Sequence, residues 1–306
     1  MNREELLAKH SEPIKVGLLG HVRLVDVMGD DQAIVQAARV SYGAGTKKTN
    51  EDRGLIRYLM RHRHTSPIEM CEIKLHLKMP MHVARQWIRH RTASINEVST
   101  RYSIVQDEFE LYSADGIRLQ SAANKQGSDG LLINAPALPF DADWKSFDKD
   151  GNQLGIEGPQ QAAYLEHHLN TSIHRARHSY DEAINLGVAR EQARNVLPLA
   201  TYTEFYWKID LHNLFHFLGL RMDAHAQLEI REFANAIAHI LEDWVPIAYE
   251  AFVDYHLEGC YLSRQEITYL KGVLSDLNVD LTEHIDYMKS KGISGREAKE
   301  FAQKLQ

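Results

Sequence analysis

Residues 71–91 constrain the fold more than any other part of the chain. Cys71, Ile73, Leu75, Leu77 and Met79 alternate with Glu72, Lys74, His76 and Lys78. A period of two predicts a half-buried antiparallel strand with one apolar and one polar face. Pro80 ends that strand and suits the first turn of a helix, predicted over residues 81–90. Cys71 falls on the apolar side, which makes it a core residue rather than a nucleophile.

The helix delivers a cation cluster. Arg85, Arg89, Arg91 and Arg101 face a single acid, Glu97, while the whole 306-residue chain is acidic at −7. Trp87, Ile88, Ile95, Val98 and Tyr102 share the stretch and predict that much of it is buried. A solvated basic face is one reading. Arginines held at a partly buried place instead call for an anion, because their planar forks match phosphate oxygens. Ser94, Asn96, Ser99 and Thr100 add short hydrogen-bonding side chains of the kind that line polar pockets.

Around this centre the chain reads as one large unit. Residues 14–19 and 22–28 predict short strands, and Asp30 or Asp31 caps a helix through Tyr42. A second helix runs from Asn50 to about His62 and puts Arg53, Arg57 and Arg61 on one face. That stripe reads as exposed and balanced by Glu51 and Asp52, or as a second anion contact. The loop predicted over residues 91–99 leads to an extended segment from Tyr102. Residues 113–158 are rich in Gly, Asn, Asp and Ser and predict a mobile cover beside the site. A long helix follows from Pro159 to near Gly187, carrying His167, His168, His174 and His178 on a polar face. A short helix stops at Pro198, and residues 201–209 alternate as a strand. Asp210 caps a helix through Leu220, and a long amphipathic helix over residues 228–257 is kinked at Pro246. Residues 263–306 predict two or three small helices, capped near Ser263, Thr282 and Ser294. The domain reading is therefore 1–257 with the 113–158 excursion, then a helical extension over 258–306.

Composition narrows the function. The acidic balance argues against a non-specific nucleic-acid binder. No apolar run is long enough to span a bilayer, and no signal core opens the sequence. Two cysteines, Cys71 and Cys260, fit a reducing cytoplasm. The 17 histidines raise the question of metal. His212, His216 and His225 have spacing that suits a three-histidine site, so a metal-dependent nucleotide hydrolase stays open. An RNA-binding module using the arginines with Trp87 and Tyr102 also stays open.

Arg89, His90 and Arg91, followed after seven residues by Ser99, with Gln86, Glu97 and Arg101 in place, resemble the signature of the flavin-dependent thymidylate synthases. The segment around Ser66-Pro67, Arg194 before Val-Leu-Pro, and Arg221 in Leu-Arg-Met-Asp-Ala-His-Ala-Gln extend the resemblance. It covers residues 14–256 apart from the 113–158 excursion. It implies an α/β protein of the α+β type, with a mixed, largely antiparallel sheet and long helices, assembled as a homotetramer with shared sites. It implies reductive methylation of dUMP to dTMP, with FAD as hydride donor and with NADPH and methylenetetrahydrofolate as co-substrates. No nucleic-acid, membrane or metal partner is implied. The family's cofactor contacts map to Ser66, Arg89, His90, Arg91, Glu97, Asp210, Leu211, His212 and His216. Its substrate contacts map to Gln86, Trp87, Ile88, Arg89, Glu97, Val98, Ser99, Thr100, Arg101, Arg194 and Arg221. Arg221 takes the catalytic position. The chain departs from the commoner pattern at Asp210, His212 and His216, where Asn, Arg and Asn are frequent.

Overall fold

The computed structural model describes residues 1–40, 52–123, 127–136 and 157–305. They form two compact units, Met1–Leu257 and Glu258–Gln306. The first unit holds strands β1 (Ile14–Val16), β2 (Gly20–Met28), β3 (Glu72–Pro80), β4 (Ser94–Glu97), β5 (Arg118–Gln120), β6 (Ser128–Leu131) and β7 (Tyr202–Asp210). Its helices are α1 (Arg3–Lys9), α2 (Asp31–Val40), α3 (Asp52–Arg61), α4 (Met81–Trp87), α5 (Gly158–Asn185), α6 (Arg190–Ala193), α7 (Leu211–Arg221), α8 (Leu228–Trp244) and α9 (Pro246–Phe252).

Five strands make the main sheet in the order β1-β2-β3-β7-β4, and every pair is antiparallel. Strand β3 sits at its centre. Ile73, Leu75, Leu77 and Met79 are buried, as the alternation predicts, and they pair in register with the alternating residues of β7. Trp87, Trp207, Phe217 and Phe233 pack edge-on or tilted with ring centres 4.4–6.2 Å apart, joining α4, α7 and α8 to the sheet's apolar face. The opposite face is polar. There His76 stacks on Tyr206 and meets Glu204 at 3.2 Å, and Lys78 bonds Glu108 at 2.6 Å.

Asp210 caps α7 as expected, accepting from the Asn213 backbone N–H at 2.9 Å. Pro246 separates α8 from α9. Asp31 then accepts from the Ile247 and Ala248 backbone N–H groups, both at 2.9 Å, and so anchors the start of α9 on α2. Gly29 has φ +79°, and a Cβ there would lie 2.8 Å from Cys71 Sγ, so this tight turn admits only glycine.

Three expectations change. Residues 94–97, read as loop, form the edge strand β4; all four are exposed, so no burial pattern marked them. The Arg53, Arg57 and Arg61 stripe is engaged rather than free, with Arg53 exposed and Arg57 buried. Arg53 pairs with Glu250, and Arg57 donates to Glu250 at 2.7 Å and to Asp254 at 2.6 Å. Both Arg57 and Arg61 also donate to the Tyr255 hydroxyl at 3.1 Å. Asp52, their expected balance, pairs with Arg39 instead, and Glu51 lies outside the described residues. The chain beyond Tyr102 is extended but contributes a single bridge, Phe109 to Thr201, rather than a strand.

The described part of the 113–158 excursion is a small β5–β6 hairpin, and Arg118 ties it to Glu229 on α8. The Ala114 N–H donates to Glu166 on α5. Half of the proposed cover, residues 124–126 and 137–156, lies outside the described residues, as do Tyr42 and Asn50. The histidines of α5 face solvent.

The second unit holds α10 (Arg264–Asp276), α11 (Ile285–Ser290) and α12 (Gly295–Leu305) around Met288, Ala298 and Ala302. Ser263 and Glu266 form a capping box, and Ser294 caps α12 through the Glu297 N–H. The middle cap is Asp280 rather than Thr282, whose N–H it accepts at 2.8 Å.

Candidate active site

Helix α4 lies between two groups of the expected ligand residues. On one side Arg85 and Ile88 line a cavity of about 450 Å³ with Glu97, Val98, Ser99, Thr100, Arg194 and Thr203. Its wall is a tight turn following β4. The Ser99 carbonyl accepts from the Tyr102 and Ser103 N–H groups, and Arg194 donates to the Thr100 hydroxyl at 2.9 Å. Arg190 holds the Tyr102 carbonyl at 2.6 Å. Glu97 accepts from the Thr203 hydroxyl at 2.6 Å, which aims its carboxylate at the cavity from the sheet edge. Arg101 reaches outward to Glu191 at 3.6 Å.

Just past the C-terminal end of α4, Arg89, His90 and Arg91 line a cavity of about 290 Å³ with Asn213, His216 and Arg221. Arg221, the last residue of α7, donates its Nε–H to His90 Nε2 at 3.1 Å and an Nη2–H to the Gln86 carbonyl at 3.2 Å. It does not pair with Asp223, which bonds His225 at 2.8 Å. Burial, then the Arg221 charge and His216, push His90 down to about 4. His90 is therefore neutral at neutral pH. Burial also lowers Arg221 from its ordinary value, although a guanidinium stays charged. Among the described residues Arg89 and Arg91 have no acidic partner.

Ser66 lies elsewhere, in a third cavity of about 560 Å³ with Tyr58, Arg63, His64 and Thr65, between α2, α3 and the turn before β3. Arg63 holds φ +57° there, a strained conformation for a side chain with Cβ. So the expected residues that line a cavity are distributed over three, while Gln86, Trp87, Arg101, Asp210, Leu211 and His212 line none of them.

Some assignments need correcting. Trp87 is wholly buried in the aromatic core, and Leu211 is wholly buried with its N–H on the Cys71 carbonyl at 2.8 Å. Both side chains are closed off in the core, leaving only their backbone groups for the expected contacts. Asp210 is occupied as the α7 cap, its second oxygen accepting from Asn213 Nδ2 at 2.7 Å. The expected burial of the arginine stretch also fails outside Trp87. Ile88, Ile95, Val98 and Tyr102 are exposed, Tyr102 at 79%. The three-histidine metal reading does not assemble. His216 packs by His90, and His225 pairs with Asp223. Among the described residues no three His, Cys, Asp or Glu side chains converge on a metal position. Sequence reasoning missed Asn213, Thr92 and Thr203 as lining residues; the alternation of β7 gave a signal for Thr203 only.

The antiparallel sheet flanked by helices, with arginines gathered around α4 and a guanidinium bonded to a neutral histidine, defines an α+β protein with a cationic site. The family described as "Thymidylate synthase complementing protein" matches residues 23–247. A flavin-dependent thymidylate synthase of Thermus thermophilus is 48% identical over 295 residues, 96% of each chain. That of Rickettsia conorii is 48% identical over 264 residues, 86% of each chain. Among solved structures, a UMP/dUMP methylase, PolB of Streptomyces cacaoi bound with 5-Br dUMP, aligns with TM-score 0.60 and 30% identity. It spans 81% of this chain and all of its own. The chain belongs to the flavin-dependent thymidylate synthase family.

Proposed function

We propose that the chain methylates dUMP at C5 to give dTMP. It uses FAD as hydride donor, NADPH as the source of reducing equivalents and methylenetetrahydrofolate as the carbon donor. The observation that carries this reading is the Arg221–His90 pair beside the unpaired Arg89 and Arg91. The donor set fits the cofactor: Arg89, Arg91 and the free Nδ1–H of a neutral His90 are the groups to hold a pyrophosphate. Ser66 would hold a further part of FAD from the third cavity. When bound, FAD supplies the hydride; the protein binds and orients.

The side chains have distinct tasks. Ser99, Thr100 and Arg194 receive the nucleotide phosphate at the turn beside Glu97, and Arg101 would join them by leaving Glu191. Arg221 stands where a planar cation can stabilise negative charge on the pyrimidine ring, which raises the nucleophilicity of C5. A half-buried site strengthens that effect. His90 holds Arg221 in place without competing for the charge, since it stays neutral. Because the groups lie in separate cavities of one chain, the site is completed between subunits of a homotetramer. The exposed Ile88, Ile95, Val98 and Tyr102 beside it are the apolar surface such a contact would cover. Residues 1–257 make the catalytic unit, with a helical extension after it, and the setting is the cytoplasm. Among the described residues no helix is long and apolar enough to cross a membrane.

The test is the visible spectrum of the purified protein with and without NADPH. A flavin band that bleaches on NADPH supports the proposal. Stoichiometric metal without flavin would instead favour a metal-dependent hydrolase, and salt-steep binding of long single strands an RNA-binding module.

A further inference from the structure

Asn213 lines the Arg221 cavity in an orientation that the chain itself enforces. It is the third residue of α7, and it shares the cavity wall with Arg89, His90, Arg91, Thr92, His216 and Arg221. Asp210 bonds it twice. Asp210 Oδ1 accepts the Asn213 backbone N–H at 2.9 Å as the helix cap, and Oδ2 accepts a side-chain Nδ2–H at 2.7 Å. A carboxylate only accepts, so the Asn213 amide is not free to turn over. Its nitrogen stays on Asp210, and its oxygen takes the other side. That oxygen has no hydrogen-bond partner among the described residues, and it is not sealed in the interior.

The groups around it are mostly donors. A guanidinium has N–H groups and no acceptor, which covers Arg89, Arg91 and Arg221. Arg221 commits its Nε–H to His90 and an Nη2–H to the Gln86 carbonyl, which leaves its Nη1 N–H groups for a ligand. His90 accepts at Nε2 and so donates from Nδ1. Only Thr92 and His216 can serve either way. Asn213 Oδ1 is therefore a fixed acceptor among donors. Phosphate oxygens are also acceptors and would be repelled by it. A sugar hydroxyl rotates to suit its partner and needs no fixed acceptor. The group that does need one is a cyclic imide, where a single N–H lies between two carbonyl oxygens. At about 290 Å³ the cavity is smaller than most whole-ligand pockets, roughly 300–1,000 Å³, and suits one such ring.

We propose that Asn213 is a specificity-determining residue: its Oδ1, held in place by Asp210, accepts the imide N–H of a ring whose flanking carbonyls meet the cavity's arginines. The inference rests on the proposed function. In that reading two ligands carry this edge, the flavin ring of FAD and the uracil of dUMP.

A protein–ligand cycle read by calorimetric Kd tests this on the full chain. FAD is titrated into protein stripped of flavin, and dUMP into the flavin-loaded protein. Each ligand is paired with its 3-deaza analogue, which puts C–H where the imide has N–H. Asn213→Leu removes the amide but keeps the backbone N–H that Asp210 caps. One of the two parent ligands should bind Asn213→Leu about threefold to tenfold more weakly than wild type, the loss of one neutral hydrogen bond. Its 3-deaza analogue should bind both proteins alike, because the contact is already absent. Coupling in the FAD pair assigns the contact to the flavin, and coupling in the dUMP pair assigns it to uracil. Equal losses for parent and analogue would mean that Asn213 only shapes the cavity. Unchanged Kd values for both parents would mean that it meets neither ring. Either result overturns the inference. Should Asn213→Leu fail to fold, Asn213→Ala enters the same cycle with the same expectation. A wild type that binds neither FAD nor dUMP refutes the proposed function itself, whereas normal wild-type binding without coupling refutes only the Asn213 contact.

Discussion

Arg221 donates its Nε–H to His90 Nε2 at 3.1 Å, and this single bond decides the state of both residues. His90 must keep a lone pair at Nε2, so its one proton sits on Nδ1. With His90 pushed down to about 4, the neutral form persists through the physiological range. A histidine NMR titration should place His90 near 4 in the ligand-free protein, and Arg221→Met should raise it, since burial and then the Arg221 charge are the causes of the shift. A titration near the ordinary 6.5 would contradict the geometry.

The same shift has a stability consequence. A histidine whose folded value lies below its unfolded value takes up a proton more readily when unfolded. The unfolded chain therefore gains protons first as pH falls below about 6.5, and stability declines until about 4, where the folded form also protonates. His90→Asn should flatten the pH dependence of unfolding across that window. An unchanged slope would show that His90 does not contribute.

Arg221→Lys keeps a charge but loses the planar fork that reaches both His90 and the Gln86 carbonyl. Methylation should fall by about tenfold or more, the loss of an oriented charge contact, while NADPH still bleaches the flavin. Near-normal methylation would mean that Arg221 is a helix-end cation and no more.

Cys71 is fully buried and its thiol is pushed up to about 12, first by burial and then by Asp30 and Asp31. Cys260 is exposed. A thiol reagent at pH 8 should therefore modify one cysteine in the folded protein and two after denaturation. The variant with both cysteines changed to Ala should keep most of its turnover. Lost methylation in a folded, flavin-loaded double variant would restore cysteine as a candidate nucleophile.

Arg57 is buried and bonds Glu250, Asp254 and Tyr255. Its role is to lock α3 against α9. Arg57→Met should lower stability by about 2–3 kcal/mol, as expected when charge-assisted bonds are removed. Denaturant unfolding reads this directly; an unchanged midpoint would show that the pair contributes nothing.

What the sequence could and could not say follows from range. Strand β3 announced itself because each of its residues sees the core or solvent in strict alternation. Pro80, Asp210 and Pro246 marked boundaries because their backbone chemistry acts locally. The Arg57 partners lie nearly two hundred residues away, so an i, i+4 stripe looked solvated. Trp87 and Ile88 are neighbours in a motif, yet one fills the aromatic core and the other faces a cavity, a difference only the helix orientation decides. Edge strand β4 is exposed at every residue and so left no alternating burial signature. The division of the candidate residues over three cavities was invisible, since motif residues close in sequence, on α4 and just past its end, line different cavities.

A subunit-shared site predicts complementation. Arg194→Met and Arg221→Lys fall in different cavities, so each variant should be nearly inactive alone. Refolded together, they should regain activity as one subunit supplies an intact Arg194 and another an intact Arg221. No recovery in verified mixed oligomers would place both residues in a site made by one chain.

The central claim is tested most directly under anaerobic conditions with the purified, flavin-loaded protein. NADPH should bleach the flavin band, and methylenetetrahydrofolate with dUMP should restore it while dTMP forms in a one-to-one ratio with flavin. Recovery of unchanged or hydrolysed dUMP, with the flavin left reduced, would contradict the account.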